Sequence, residues 1–396
     1  MKADGTIGAI VYDLRASGVV RNLLRIAQAA LDRGLEFEIW PLRPQGEFLR
    51  EAEEIAALRP ILTERSGGQR DLDCLFHQTA LGEALAMRAP SLVFSAGNQM
   101  HWHLAKAMRY LPTDKRPRFI GRASNAVVSA SNPNAVARAL IRPQEQFQYC
   151  AMDHIIAVSV ELRNQLVDEL HISTERVSTI PNGIDVNRFV DHDLLALKER
   201  ACDGGDPVIL GIGRLSRQKD FVTLIDSVGM LRGRSRPALR ILGRGSKPWQ
   251  KRLRKQAERR GIADRFELLG HVENVAEHLV NADLFVSSSR WEGASNVVLE
   301  AMACGTPIVA TDAPTGIREV LAPLGEEAIV PVGDSHALAM AIEKRLAAPR
   351  AAGASIARAH NFDLNQGLAD YCSVFTEQLN LASHRYRGPA GKQGAH

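Results

Sequence analysis

One stretch constrains the fold more than any other: residues 284–311, LFVSSSRWEGASNVVLEAMACGTPIVAT. Leu284, Phe285 and Val286 make a short apolar run that ends in serines. Gly293 frees the backbone in the loop that follows. Val297, Val298, Ala301 and Met302 recur at helical spacing. Gly305 stands where a helix wants a left-handed C-terminal residue, and Pro307 forbids continuation. Ile308, Val309 and Ala310 read as the next buried strand. The stretch is therefore strand, loop, helix, strand.

Two carboxylates lie in this unit. Glu292 falls in the loop at the strand's C-terminal end, and Glu300 about one turn into the helix. Asn296, four residues before Glu300, shares its face. The free N–H groups of Ser295, Asn296 and Val297 would point into the same crevice, and a helix N-terminus is a ready anion site. A carboxylate can only accept hydrogen bonds, so beside that end it suits a sugar diol better than a phosphate. One reading puts phosphate on the amides, ribose on Glu300 and a second polyol on Glu292. The other is an ordinary strand–helix unit with two solvated glutamates.

Strand and helix alternate regularly through the second half, which predicts a parallel, doubly wound sheet. Val208 to Gly211 reads as its first strand. Gly213, Arg214 and Lys219 follow in a loop, and Phe221, Leu224, Ile225 and Val228 mark the next helix. Gly213 lets the backbone approach a ligand. Arg214 offers a planar fork for phosphate and Lys219 a mobile point charge, or the three are a basic surface loop. Leu239 to Leu242 and Phe266 to Leu269 read as strands, with Gly243 and Gly270 at their ends and His271 and Val272 following. Pro248 starts a helix and Gly261 ends it. Ala328 to Val332, a helix from Ser335 and an amphipathic helix from Phe362 to Leu379 complete this half.

Residues 291–310, WEGASNVVLEAMACGTPIVA, resemble the donor-binding signature of the retaining family 4 glycosyltransferases. Residues 213–220, GRLSRQKD, resemble that family's basic loop, and residues 181–189, PNGIDVNRF, its crossing between domains. The resemblance implies an α/β GT-B fold: two Rossmann-like, doubly wound parallel-sheet domains facing a cleft, with a C-terminal helix returning to the first. The implied division is an acceptor domain at 1–186, a nucleotide-sugar donor domain at 187–361, the returning helix at 362–384 and a disordered tail at 385–396. It implies transfer of a hexose from a nucleotide-diphosphate sugar, UDP-linked, to an acceptor hydroxyl with retention, in bacterial surface polysaccharide or glycolipid assembly. By match, Glu300 holds the donor ribose and Glu292 lies by the transferred sugar. Arg214 and Lys219 neutralise the diphosphate, Gly243 lies beside the nucleotide, and Gly270, His271 and Val272 grip the base through backbone groups. Arg214, Lys219 and Glu292 are the implied catalytic set. With the charge met by Arg and Lys, no metal is required. Two alternatives stand beside this one: a GT-B nucleotide-sugar hydrolase or epimerase, and a nucleotide-sugar-binding scaffold that has lost its chemistry.

The first half carries thinner signals. Thr6 to Tyr12 fits a buried first strand; Val20, Leu23, Leu24, Ala27 and Leu31 then mark an amphipathic helix closed by Gly34. Ser17-Gly18 stands where the family usually has two glycines over the donor diphosphate and acceptor, and Arg21 either matches a basic residue of that loop or is a surface helix arginine. Ser91 to Phe94 and Arg118 to Arg122 read as strands. Asn98, His101, Arg122, Ser124 and Asn125 cluster at their C-terminal ends, where α/β sheets bind ligands, and become acceptor-side candidates. A surface histidine at a helix start is the commoner reading of His101 and of His103. The family's usual histidine in the second loop is replaced by Ser124. His154 to Val158 reads as a strand, with Ser159 capping a helix through Leu170, and Val177 to Ile180 as another, closed by an Asn182-Gly183 turn. Asp71 and Asp73 form a D-x-D, the metal motif of the other glycosyltransferase fold, in a polar connector where chance explains it.

Composition removes other classes. No apolar run approaches the roughly 18 residues that cross a bilayer, and the N-terminus lacks a signal-peptide pattern. Five cysteines without a C-x-x-C pair argue for reduced thiols in a cytoplasm, with neither disulfides nor structural zinc. From Arg232 to Arg260 the only acid is Glu258. This basic run reads as a solvated helix face, or as a contact with an anionic membrane at its inner face or with an anionic carrier lipid. Nucleic acid is not expected: aromatics are only 5% of the chain and no recognition motif occurs.

Overall fold

The computed structural model describes residues 5–62, 78–127, 134–189, 206–231, 236–272, 274–293, 295–349 and 352–386. Asp71, Asp73 and the tail from 387 lie outside the described residues. The chain forms two compact units: residues 1–158, 162–180 and 367–396, and residues 159–161 and 181–366.

The first unit holds a seven-stranded sheet in the order β3-β2-β1-β4-β5-β6-β7. Its strands are β1 (Thr6–Val11), β2 (Glu36–Pro41), β3 (Ala57–Leu58), β4 (Leu92–Ser95), β5 (Arg118–Ala123), β6 (His154–Ala157) and β7 (Val177–Thr179). Every pairing is parallel. β4 and β6 are buried along their whole length, and β1 and β5 at every position but the first, as a sheet covered on both faces requires. The helix Gly18–Asp32 packs Val20, Leu23, Leu24 and Ala27 inward, and Gly34, at φ +76°, ends it in the left-handed region. The C-terminal helix Leu364–Tyr386 supplies Tyr371, Phe375 and Leu379 to the same core, beside Phe37 and Phe94.

The second unit is a six-stranded parallel sheet in the order β10-β9-β8-β11-β12-β13. Its strands are β8 (Val208–Ile212), β9 (Ala238–Leu242), β10 (Phe266–Gly270), β11 (Leu284–Ser287), β12 (Ile308–Thr311) and β13 (Ile329–Val330). Strand order reverses between β8 and β11, so the loops leaving those strands diverge and open a crevice at their C-terminal ends.

Two local expectations fail. The Asn182-Gly183 pair makes no turn. The chain runs into a parallel bridge between Ile184 and Asp363, and a Cβ on Gly183 would lie 2.5 Å from the Leu364 Cα. Gly183 is needed for close backbone approach, not for reversal. The helix after Ser159 is not regular to Leu170: it is α-helical over Val160–Asn164 and widens to a π-helix over Gln165–Glu169.

Candidate functional site

The crevice of the second sheet gathers the loop after β8 and the loop after β11. Lys219, in the first loop, forms an ion pair with Glu292, in the second. Glu292 is 6% exposed, and its main chain is fixed on both sides. Its N–H donates to the Pro314 carbonyl and its carbonyl accepts from the Thr315 N–H, both at 2.7 Å. Ser289 Oγ donates to the same Oε1 that takes the lysine. Among the described residues no donor reaches Oε2, which leaves one carboxylate oxygen for a ligand hydroxyl.

The helix Asn296–Ala303 starts at this crevice. Val298, Leu299, Ala301 and Met302 bury its inner face. Ser295 occupies the N-cap position, but its side chain makes no capping bond. The N–H groups of Ser295, Asn296 and Val297 meet no acceptor among the described residues, so the positive end of the helix is open. Asn296 Oδ1 accepts from Asn182 Nδ2 at 2.6 Å. Glu300 lies one turn further on and is half-buried.

The floor is built from glycines. Gly213 and Gly243 have φ of +150° and +143°, which side chains rarely adopt. Gly213 N–H donates to the Leu242 carbonyl and Gly243 N–H to the Gly270 carbonyl, at 2.8 and 2.6 Å. These bonds stack the loops after β8, β9 and β10 on one another. A Cβ on Gly243 would lie 1.9 Å from the Gly213 carbonyl oxygen, so no side chain fits. Arg214 and His271 are exposed and Val272 is half-buried; none has a charged partner among the described residues. A guanidinium held exposed at this crevice, beside an open helix end, is suited to an anion.

The first-unit candidates are placed differently. Ser17 Oγ accepts from the Val20 N–H at 3.2 Å, so this serine caps the helix that Gly18 begins. Arg21 lies over the Phe48 ring, 5.2 Å from its centroid. Asn98 Oδ1 accepts from both N and Oγ of Ser124, at 2.8 and 3.0 Å, and Asn98 Nδ2 donates to the Tyr149 hydroxyl at 3.1 Å. His101 is no surface histidine: it is fully buried, 2.8 Å from Ser95 Oγ through Nδ1 and edge-on to Tyr149. Burial pulls its pKa down to about 3. Arg122 is also buried and donates from Nε to the Tyr371 hydroxyl of the C-terminal helix at 2.9 Å. Asn125 alone among the strand-end candidates is exposed. Asn98, His101, Arg122 and Ser124 are thus tied into a polar network of the first unit.

Two family models match the chain: Glycosyltransferase Family 4 over residues 16–188 and Glycosyl transferases group 1 over residues 196–361. The chain belongs to the group 1, family 4 glycosyltransferases. It is 30% identical over 223 residues to D-inositol 3-phosphate glycosyltransferase of Geodermatophilus obscurus, covering 54% of this chain and 49% of that protein. Over 141 residues it is 33% identical to the lipopolysaccharide core biosynthesis mannosyltransferase LpsB of Rhizobium meliloti, covering 34% of this chain and 40% of that one. The chain thus spans about half the length of the first curated relatives it matches, and less of others. HepE of Anabaena, solved in complex with UDP-glucose, superposes with a TM-score of 0.73 at 18% identity, over 94% of this chain and 100% of that one. The architecture is the GT-B fold.

Sequence reading of this family 4 member missed several residues that shape the crevice. Ser289, three residues before Glu292, stood only as one of a run of serines. Gln218 and Arg290 carried no signal of their own, and Asp220 stood only as the last residue of the loop 213–220, because each acts through a partner about 70 residues away. Asn182 read as a turn residue, yet its amide donates to Asn296 Oδ1.

Proposed function

We propose that this chain is a retaining glycosyltransferase that moves a hexose from a nucleoside diphosphate sugar, UDP-linked, to an acceptor hydroxyl. The observation that carries this is the buried Glu292, paired with Lys219 beside the open end of the helix Asn296–Ala303. That arrangement offers a cation and backbone donors for a diphosphate, and a free carboxylate oxygen for a sugar hydroxyl. In the reaction the bond from the anomeric carbon to the diphosphate oxygen breaks, and a bond to the acceptor oxygen forms on the same face. The acceptor proton passes to the departing phosphate. Arg214, Lys219 and the N–H groups of Ser295 to Val297 stabilise the charge that grows on the diphosphate. Glu300 takes the ribose hydroxyls, Glu292 orients the sugar, and Gly270, His271 and Val272 line the base. No metal is required in this scheme, since the Arg–Lys pair supplies the counter-charge.

The acceptor in this reading is a glycan or a lipid-linked intermediate of surface polysaccharide or glycolipid assembly, met at the inner face of a membrane. Gly18 is assigned to the donor diphosphate, and acceptor contacts to Ser17, Arg21, Asn98, His101, Arg122, Ser124 and Asn125, directly or through the bonds they make. Support for membrane contact comes from the helix Lys247–Arg259, where Lys247, Lys251, Arg252, Arg254, Lys255 and Arg259 are all exposed against one acid, Glu258. No helix among the described residues is long and apolar enough to cross a membrane. Reversing charge at Arg252, Arg254 and Lys255 should abolish binding to vesicles rich in anionic lipid; unchanged binding removes this part of the reading.

The experiment that tests the core is calorimetric titration of UDP, GDP, ADP and TDP into the wild type and Glu300→Ala. Tight binding of UDP that the variant loses is the expected result. Binding of none of the four, or no effect of the substitution, overturns it.

A further inference from the structure

Lys219 and Glu292 sit on loops that leave different strands, and a specific set of contacts joins those loops. Ser288 Oγ donates to the Lys219 carbonyl at 2.8 Å. Arg290 N–H donates to the Gln218 carbonyl at 2.7 Å, and Gln218 Nε2 returns a bond to the Trp291 carbonyl at 3.0 Å. Arg290 Nε pairs with Asp220 Oδ2 at 2.8 Å. Asp220 is 7% exposed and holds a left-handed backbone, φ +43°, with Thr223 Oγ1 donating to the same oxygen at 2.8 Å. A non-glycine residue in that conformation is costly and persists only where its surroundings fix it. Residues 218–220 and 288–291 are therefore stapled residue against residue, and the two functional side chains lie immediately inside the staple.

We propose that Arg290 and Gln218 are positioning residues for Lys219. The lysine has a flexible four-carbon stem and would lose much rotamer freedom on meeting a diphosphate. Anchoring its backbone on one side through Ser288 and on the other through Arg290 and Asp220 removes the main-chain part of that freedom before the ligand arrives. Neither residue needs to touch the ligand. This inference rests on the donor-site reading above.

The test is a double-mutant cycle read by UDP affinity, with thermal melting as a control for folding. Arg290→Gln should melt close to the wild type yet bind UDP about tenfold more weakly, since small misplacements of a binding group are felt strongly. Arg290→Lys should recover most of that loss. In the Lys219→Met background, Arg290→Gln should cost almost nothing further, because its effect passes through the lysine. A purely structural role gives additive losses and no rescue by lysine, and that result overturns the proposal. So does wild-type affinity in Arg290→Gln. If Arg290→Gln does not fold, Gln218→Met takes its place in the same cycle. A wild type that binds none of UDP, GDP, ADP and TDP refutes the donor-site reading itself, and the proposal with it; the two failures are thereby told apart.

Discussion

Replacing Lys219 by methionine separates what the Lys219–Glu292 pair does for stability from what it does for ligand. The Glu292 side chain is 7% exposed and that of Lys219 18%. Removing one partner of a buried pair costs about 3–5 kcal/mol, because the other charge stays buried without compensation. Two features lower that figure here. Water reaches the lysine, and Ser289 Oγ still donates to the abandoned carboxylate. We expect a loss of about 2 kcal/mol for Lys219→Met and, since the partly exposed ammonium is more easily hydrated, about 1 kcal/mol for Glu292→Gln. The double variant buries no unpaired charge and should return to within about 1 kcal/mol of the wild type, a coupling of about 2 kcal/mol. By calorimetric melting of a unit of this size, Lys219→Met should fall by about 4–8 °C and the double variant should recover most of it. UDP binding should not recover, because both ligand-facing groups are gone. Additive destabilisation would refute the reasoning, since it would mean that the two side chains do not share one electrostatic site.

Three further outcomes follow from the packing. His101 is held well below its ordinary pKa by burial, so the folded state binds fewer protons than the unfolded state below about pH 6.5. Stability should therefore fall with acid, by about 2 kcal/mol between pH 7 and pH 5, and urea titrations of His101→Gln should lack that part of the slope. Phe375 is fully buried and touches Phe94, Phe37 and Tyr371, with centroids 5.1, 6.0 and 6.3 Å away, so Phe375→Ala should cost about 4 kcal/mol in urea; a loss under about 1 kcal/mol would contradict the docking of the C-terminal helix. Gly243→Ala drives a methyl into the Gly213 carbonyl and should abolish UDP binding in titration calorimetry while lowering the melting temperature.

The second unit was legible because its signals are local. Residues 284–311 encode a strand, an open helix N-terminus and a helix stop within one reach of chain, and each survives as written. Gly213 and Gly243 announced loops that only glycine can form. Two helices of the first unit were harder. Ala135–Cys150 contains Pro143, which argues against a helix in any short window, and Gln78–Arg88 has scarcely any apolar face. Tertiary packing decides both, and no periodicity reports it. The basic helix Lys247–Arg259 was bracketed by Pro248 and Gly261, because proline at a start and glycine past an end are written in the residues themselves.

The acceptor-side residues resisted for a different reason. A polar residue at the C-terminal end of a strand is equally useful to a ligand and to the fold, and the sequence carries no mark of which has claimed it. Asn98 uses its amide oxygen on Ser124 and its amide nitrogen on Tyr149, and Arg122 uses Nε on Tyr371. Those bonds satisfy groups that burial would otherwise penalise. They also make the loop at Ser124 and Asn125 depend on Tyr149 and on the C-terminal helix, residues with no signature of their own. By contrast, the N–H groups of Ser295, Asn296 and Val297 and the Arg214 guanidinium meet no partner among the described residues. Donors left open at a helix end and on an exposed guanidinium are the ones an anionic ligand can claim.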